Sequence, residues 1–270
     1  MMRSLWSAAS GMVAQQTNVD TIANNLANVN TTGYKTEKAE FKSLLYQTVQ
    51  TRTTTANGEQ KPIPAQVGLG TRTASITSMF KQGAFFASES PTAFAIDGDG
   101  FFAVRGTDGE TYYTKNGDLR LVIGGEGIVL TNNEGYPVLD TEGNPVTFPE
   151  DIVSSRLVAT DDGKFSLREA DNSLTDLNVQ IGLWQFNNPS GLTKMAGGIF
   201  AVSDASGPAI NEATGNVRPS GIKQGYLEGS NVQVADEMVN LIVAQRAYEM
   251  NSKAIQASDE MLGQANQLKR

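Results

Sequence analysis

Closely spaced carboxylates are the first residues in this 270-residue chain that could do chemistry. Asp97 and Asp99 stand in "DGDG", and Asp161 and Asp162 are adjacent in "TDDGK". Two carboxyl groups facing one cleft can act as general acid and base in glycoside hydrolysis, and spaced aspartates can hold calcium. Both pairs, however, sit beside glycine in turn signals. "DGDG" also has no spaced Asp/Asn series and no closing Glu in the right place, so hairpin turns are the better reading. "VGLGTRT", around Gly68 and Gly70, has the look of a phosphate-binding loop but lacks a third glycine and a following helix, and it too reads as a turn. The chain has no histidine and no cysteine. Imidazole bases, thiolate nucleophiles, disulfides and most zinc or iron sites are thereby excluded. We therefore expect no catalytic, cofactor-binding or metal-binding residues, no cofactor and no enzymatic activity. Trp6, Trp184 and Tyr248 read as packing residues.

The elements that would position any site follow two periods. Leu5, Met12, Val19 and Leu26 stand seven apart, and Ala8, Gln15, Ile22 and Val29 follow each by three. This heptad seam predicts a helix from about 3 to 28. Only Arg3 and Asp20 carry charge before Lys35, too few for a solvated helix, so much of it should face protein. The helix end is rich in asparagine (Asn24, Asn25, Asn28, Asn30), a poor helix former, and Gly33 reads as a left-handed stop. At the other end Val234, Leu241, Tyr248, Ile255 and Leu262 are again seven apart, with Ala244, Asn251, Ser258 and Ala265 three residues on. This predicts a helix of 233–267, capped by Ser230 or Asn231, with Asp236 and Glu237 in its first turns and Lys269 and Arg270 complementing the dipole at its end.

Between the helices the period becomes two, in short runs such as "FAIDGDGFFAVRG" and "LNVQIGLWQF" cut by Asp-Gly, Asn-Gly and Glu-Gly turns. The expected fold class is α+β. Long N- and C-terminal helices pair as a coiled-coil-like core, with an antiparallel all-β domain between them. The expected divisions are a core helix over 1–32, a connecting segment over 33–80 with a polar insert at 46–64, a β domain over 81–207, a return over 208–232 and a second core helix over 233–270. The Thr-rich insert, ending in Pro62 and Pro64, reads by composition as a linker.

A net charge of −8 without a basic cluster argues against nucleic acid. No run of about 20 apolar residues is present to insert in a membrane. Ser4, Ser7, Ser10 and Gly11 dilute any signal-peptide core, so none is expected to be cleaved. Seams with so little charge would leave apolar stripes exposed on a monomer, which points to a polymer subunit.

With these residues identified, the chain resembles the bacterial flagellar rod and hook axial proteins. "ANNLANVNTTGYK" is similar to the family's N-terminal motif, "GYLEGSNVQVADEMVNLIVAQRAYEMNSKAIQASDEML" to its C-terminal one, and "AIDGDGFFAV" and "YYTKNGDL" to its β-domain motifs. Within the family, "LLYQTVQ" followed by a polar insert before "VGLGTR" resembles the distal-rod branch. Proximal rod or hook-type members are the alternative, and a secreted β-rich hydrolase is a more distant one. The resemblance implies a helical homopolymer in the basal body, transmitting torque through the cell envelope, with terminal helices inside and β domains outside. The implied assembly residues are Leu5, Met12, Val19, Ile22, Leu26, Val29, Val234, Leu241, Tyr248, Ile255 and Leu262, with Asn24, Asn25, Asn28 and Gly33 as the helix-end motif. Implied partners are other copies, neighbouring rod and hook subunits, outer-ring bushing proteins and the flagellar type III export apparatus. Phe41 and Leu45, in "FKSLL", resemble an export-gate element. The asparagine amides are expected to be hydrogen-bonded between copies.

Overall fold

A computed structural model describes residues 2–50, 65–125, 127–149, 152–169, 173–215 and 217–267. The described residues fall into two units: one comprises those of Met1–Ala27, Glu37–Thr77 and Gln233–Arg270, the other Asn28–Thr36 and Ser78–Val232. The architecture is α+β, with one helix near each end and antiparallel strands between.

In the first unit the heptad repeats become two long helices, α1 (Met2–Ala27) and α2 (Val234–Gln267), close to their expected bounds. They touch along their length and run antiparallel. Ser4 Oγ lies 3.2 Å from Ser258 Oγ. A Cβ on Gly11 would lie 2.9 Å from the Asn251 amide, and Asn25 Nδ2 lies 3.3 Å from Glu237 Oε2. Seven residues up α1, from Ser4 to Gly11, match seven down α2, from Ser258 to Asn251. The small size of Gly11 and Ser4 lets the backbones approach, since the side chains at the contact set the distance between helix axes. The unit also holds the strand Glu37–Ser43 beside Thr71–Ser78, and a hairpin of Tyr46–Gln50 with Ala65–Gly68. Most of the polar insert, residues 51–64, lies outside the described residues, as do Lys269 and Arg270.

The helix ends differ from expectation. α1 stops at Ala27, and the chain turns at once, with Thr31 N–H donating to Asn28 O at 3.2 Å. Gly33 is left-handed (φ 69°) but stands six residues beyond the helix, so it is not its cap. Neither Ser230 nor Asn231 caps α2. Its first turn closes from Glu237 N–H to Gln233 O at 3.0 Å, while Asp236 and Glu237 stand in the first turn as expected.

The second unit is built on alternation. Its six-stranded antiparallel sheet runs Thr193–Lys194, Ile199–Ala201, Thr111–Thr114, Phe101–Arg105, Leu183–Gln185, Ile210–Asn211. Both faces of Phe101–Arg105 are covered. Phe102 and Val104 pack with Phe94, Ile96, Leu130 and Phe165 on one side; Phe101 and Ala103 pack with Tyr113, Trp184 and Phe200 on the other. Alternation with both positions apolar is how a strand enters a core that lies on both of its faces. Two three-stranded sheets and two strand pairs complete the unit.

Candidate assembly surface and the meeting of the terminal motifs

Asn25 explains why a poor helix former ends α1. Its Nδ2 donates to Glu37 O and its Oδ1 accepts from Glu37 N–H, both at 2.8 Å, so one carboxamide pairs with the start of a strand as another strand would. The same Nδ2 reaches Glu237 on α2. Asn25 is buried, and an amide so placed offsets its helix propensity with hydrogen bonds to the Glu37 backbone. These bonds of Asn25 lie within one chain. Asn28 accepts from Thr31 Oγ1 at 3.1 Å, and Asn24 is exposed.

In the second unit, Asn28–Thr36 forms a strap joined to the segment before α2. Gly33 N–H donates to Glu228 O at 2.8 Å. A Cβ there would come within 2.9 Å of Asn116 N, so both its φ and its surroundings require glycine. Lys35 Nζ donates to Glu228 Oε1 at 2.6 Å and to Lys81 O at 2.9 Å. Gly83 N–H also reaches Glu228 Oε1, at 2.7 Å, whereas Glu228 Oε2 is buried without a hydrogen-bond partner. Asn231 Oδ1 accepts from Thr36 N–H and Thr36 Oγ1, both at 2.7 Å.

Lys115 is a second buried lysine of this unit. Its Nζ donates to Gly98 O at 2.8 Å and lies 4.9 Å from the Phe101 ring centre. Burial, aided by the Lys35 charge, pulls its pKa down to about 8, against the opposing pull of Glu228, Asp99 and Glu212.

The heptad rows occupy different faces than their size suggests. On α1, Ala8, Ala14, Thr21, Ile22 and Asn25 are buried, while Leu5, Met12, Val19 and Leu26 are half-buried, as is Val29 beyond the helix. On α2, Glu237, Ala244 and Ser258 are buried. Leu241, Ile255 and Leu262 are half-buried, and Val234 and Tyr248 are exposed. Ile22 apart, the buried positions of the two helices are small or polar, and the larger apolar side chains are half-buried or exposed. Val239, Ile242, Val243 and Met250 on α2, and Trp6 and Val13 on α1, are exposed. Phe41 and Leu45 are exposed as well.

The sequence gives no sign of the roles of Glu228 and Lys115, and it suggests a different one, a helix cap, for Asn231. The usable signal was Lys35, the first charge after Asp20.

Comparison with known proteins follows the same division. Three family models match: "Flagella basal body rod protein" over residues 5–35, "Flagellar hook protein FlgE/F/G D1 domain" over 95–167, and "Flagellar basal body rod FlgEFG protein C-terminal" over 223–268. These define the class, the axial proteins of the flagellar rod and hook, and the first and last matches contain the residues that meet as Asn25–Glu237 and Lys35–Glu228. The chain is 44% identical to the flagellar basal-body rod protein FlgG of Borreliella burgdorferi, with all of both chains covered. It is 36% identical to that of Bacillus subtilis, again over all of both chains, and 37% identical to that of Buchnera aphidicola from Acyrthosiphon pisum, over 99% of this chain and 100% of the relative. The chain belongs to the flagellar basal-body rod protein family.

Proposed function

We propose that this chain is a structural, non-catalytic subunit of the bacterial flagellar rod, in its distal part, which polymerises helically into the shaft carrying torque from motor to hook. The observation that carries this reading is the outer face of α2. Val239, Ile242, Val243 and Met250 are 60%, 54%, 62% and 65% exposed, and Trp6 on α1 is 71% exposed. Burying one such side chain is worth about 1.5–3 kcal/mol, and apolar faces of this extent mark interaction sites. Other copies of the chain would cover it, with Leu5, Met12, Val19, Leu26, Leu241, Ile255 and Leu262 at the margins of a coiled-coil-like core.

Neighbouring rod and hook subunits would continue the same packing above and below, and outer-ring bushing proteins would surround the β units. Export through the flagellar type III apparatus, without cleavage of a signal peptide, would bring the subunit to the basal body. Exposed Phe41 and Leu45 are available to an export gate. Val243→Asp and Met250→Asp test the reading. Both are expected to leave the circular dichroism of the isolated chain unchanged, because neither side chain is buried in it, while abolishing rods and motility. Motile cells with normal basal bodies in both variants would refute it.

A further inference from the structure

The chain passes between its two units four times, after Ala27, Thr36, Thr77 and Val232. Three of these passages are tied together by one side chain of the second unit. The Asn231 carboxamide uses its full hydrogen-bonding capacity. Its Oδ1 accepts from Thr36 N–H and Thr36 Oγ1 at 2.7 Å each. Its Nδ2 donates to Met79 O at 2.8 Å and Lys81 O at 3.0 Å. Met79 N–H in turn donates to Thr36 O at 2.8 Å, and Asn231 N–H reaches Tyr34 O at 3.4 Å. Thr36 is the last residue before one passage, Met79 is the second after another, and Asn231 is the second-last before a third. Residues nearly two hundred apart in sequence therefore leave the β unit as one knot.

We propose that Asn231 is a clasp that fixes the paths by which three chain segments leave the β unit, so that they carry force together rather than one at a time. With the clasp open, Thr36 and Met79 lose their tie to the segment before α2, and the nearest bonds left are those of Lys35 with Glu228 and Lys81 O and of Gly33 N–H with Glu228 O. The mechanical consequence rests on the polymer reading above; the clasp itself does not.

Asn231→Asp is the sharp test, because the carboxylate is isosteric but sets an oxygen against Met79 O and Lys81 O. Hydrogen exchange on the full, unassembled chain should accelerate about 10-fold or more at the Thr36 and Met79 amides, as loss of paired hydrogen bonds implies. Phe101–Arg105 should be unaffected. Thr36→Val, which removes only the hydroxyl, should give the same pattern at smaller amplitude. Unchanged exchange at Thr36 and Met79, or acceleration spread through Phe101–Arg105, would overturn the clasp. In cells, Asn231→Asp rods should form but bend or shear; straight, intact rods beside local opening would overturn the mechanical role. Failure of the wild-type chain to form rods would instead refute the polymer reading, since exchange is read without assembly.

Discussion

Lys35 Nζ lies 2.6 Å from Glu228 Oε1, and both side chains are only 1% exposed. The pair joins the strap after α1 to the segment before α2, and it leaves Glu228 Oε2 with no hydrogen-bond partner. Such a carboxylate depends heavily on the buried lysine bonded to it, because a charge left unpaired in the interior is far costlier than a missing pair.

Lys35→Met is therefore expected to destabilise the second unit by about 3–5 kcal/mol. The double variant Lys35→Met/Glu228→Gln should recover part of this loss, because it removes the stranded charge. Urea unfolding followed by Trp184 fluorescence, in a Trp6→Phe background, reads the effect where Trp184 is buried. Losses that simply add would show that the two groups are not coupled.

Lys115 makes stability depend on pH in the alkaline range. Its folded pKa of about 8 lies below the ordinary lysine value of 10.5. Above pH 8 the folded state releases this proton while the unfolded state keeps it, so stability rises with pH up to about 10. Below pH 8 the burial cost of the charge is fully present. The gain is of order 2 kcal/mol between pH 7.5 and 9.5 at about 1.4 kcal/mol per pKa unit. Urea midpoints across that range should climb in the native chain and stay flat in Lys115→Met; a flat native profile would contradict the assignment. The buried Tyr113, whose pKa burial raises, acts above this window and in the opposite sense, which sets its upper limit.

Asn25→Ala leaves Glu37 N–H and C=O without their partner and takes a donor from Glu237. About 2 kcal/mol should be lost from the first unit. Asn25→Asp should be worse at pH 7 than at pH 4, because its carboxylate faces that of Glu237 where the amide stands at 3.3 Å. Thermal melts of the 222 nm helical signal at both pH values check this, and equal melting of the Asp variant at both would contradict the pairing.

What could be read in the sequence was what depends on neighbours in the chain. The period of seven placed both helices within a few residues, and the period of two placed the strands around Phe101–Arg105. Of the two rows in each seam, the second holds the buried residues, Ala8 and Ile22 on α1 and Ala244 and Ser258 on α2, whereas the large apolar first rows are half-buried or exposed. The contact within the chain uses Ser4, Gly11 and Asn25 against Ser258, Asn251 and Glu237. Asn251 and Ser258 stand on the expected second row of α2, whereas Ser4, Gly11 and Glu237 lie outside the rows and carry no local sign of the contact. Asn231 was read as a helix cap for the same reason: its four partners lie on segments far away in sequence. Glu228 could not be matched to Lys35 across 193 residues. Gly33 was correctly read as left-handed, but its position is dictated by Asn116 rather than by the helix end.

The central claim is that α1 and α2 use one face for each other and keep a second for neighbouring copies. A cryo-EM map of isolated rods, resolved well enough to place side chains, tests it most directly. The expected result is a tube whose inner wall is made of these helices, with Val239, Ile242, Val243, Met250 and Trp6 enclosed by helices of adjacent subunits and the Ser4–Ser258 and Asn25–Glu237 contacts kept within each chain. A map in which those five side chains face water, and the β units alone join the subunits, would contradict it.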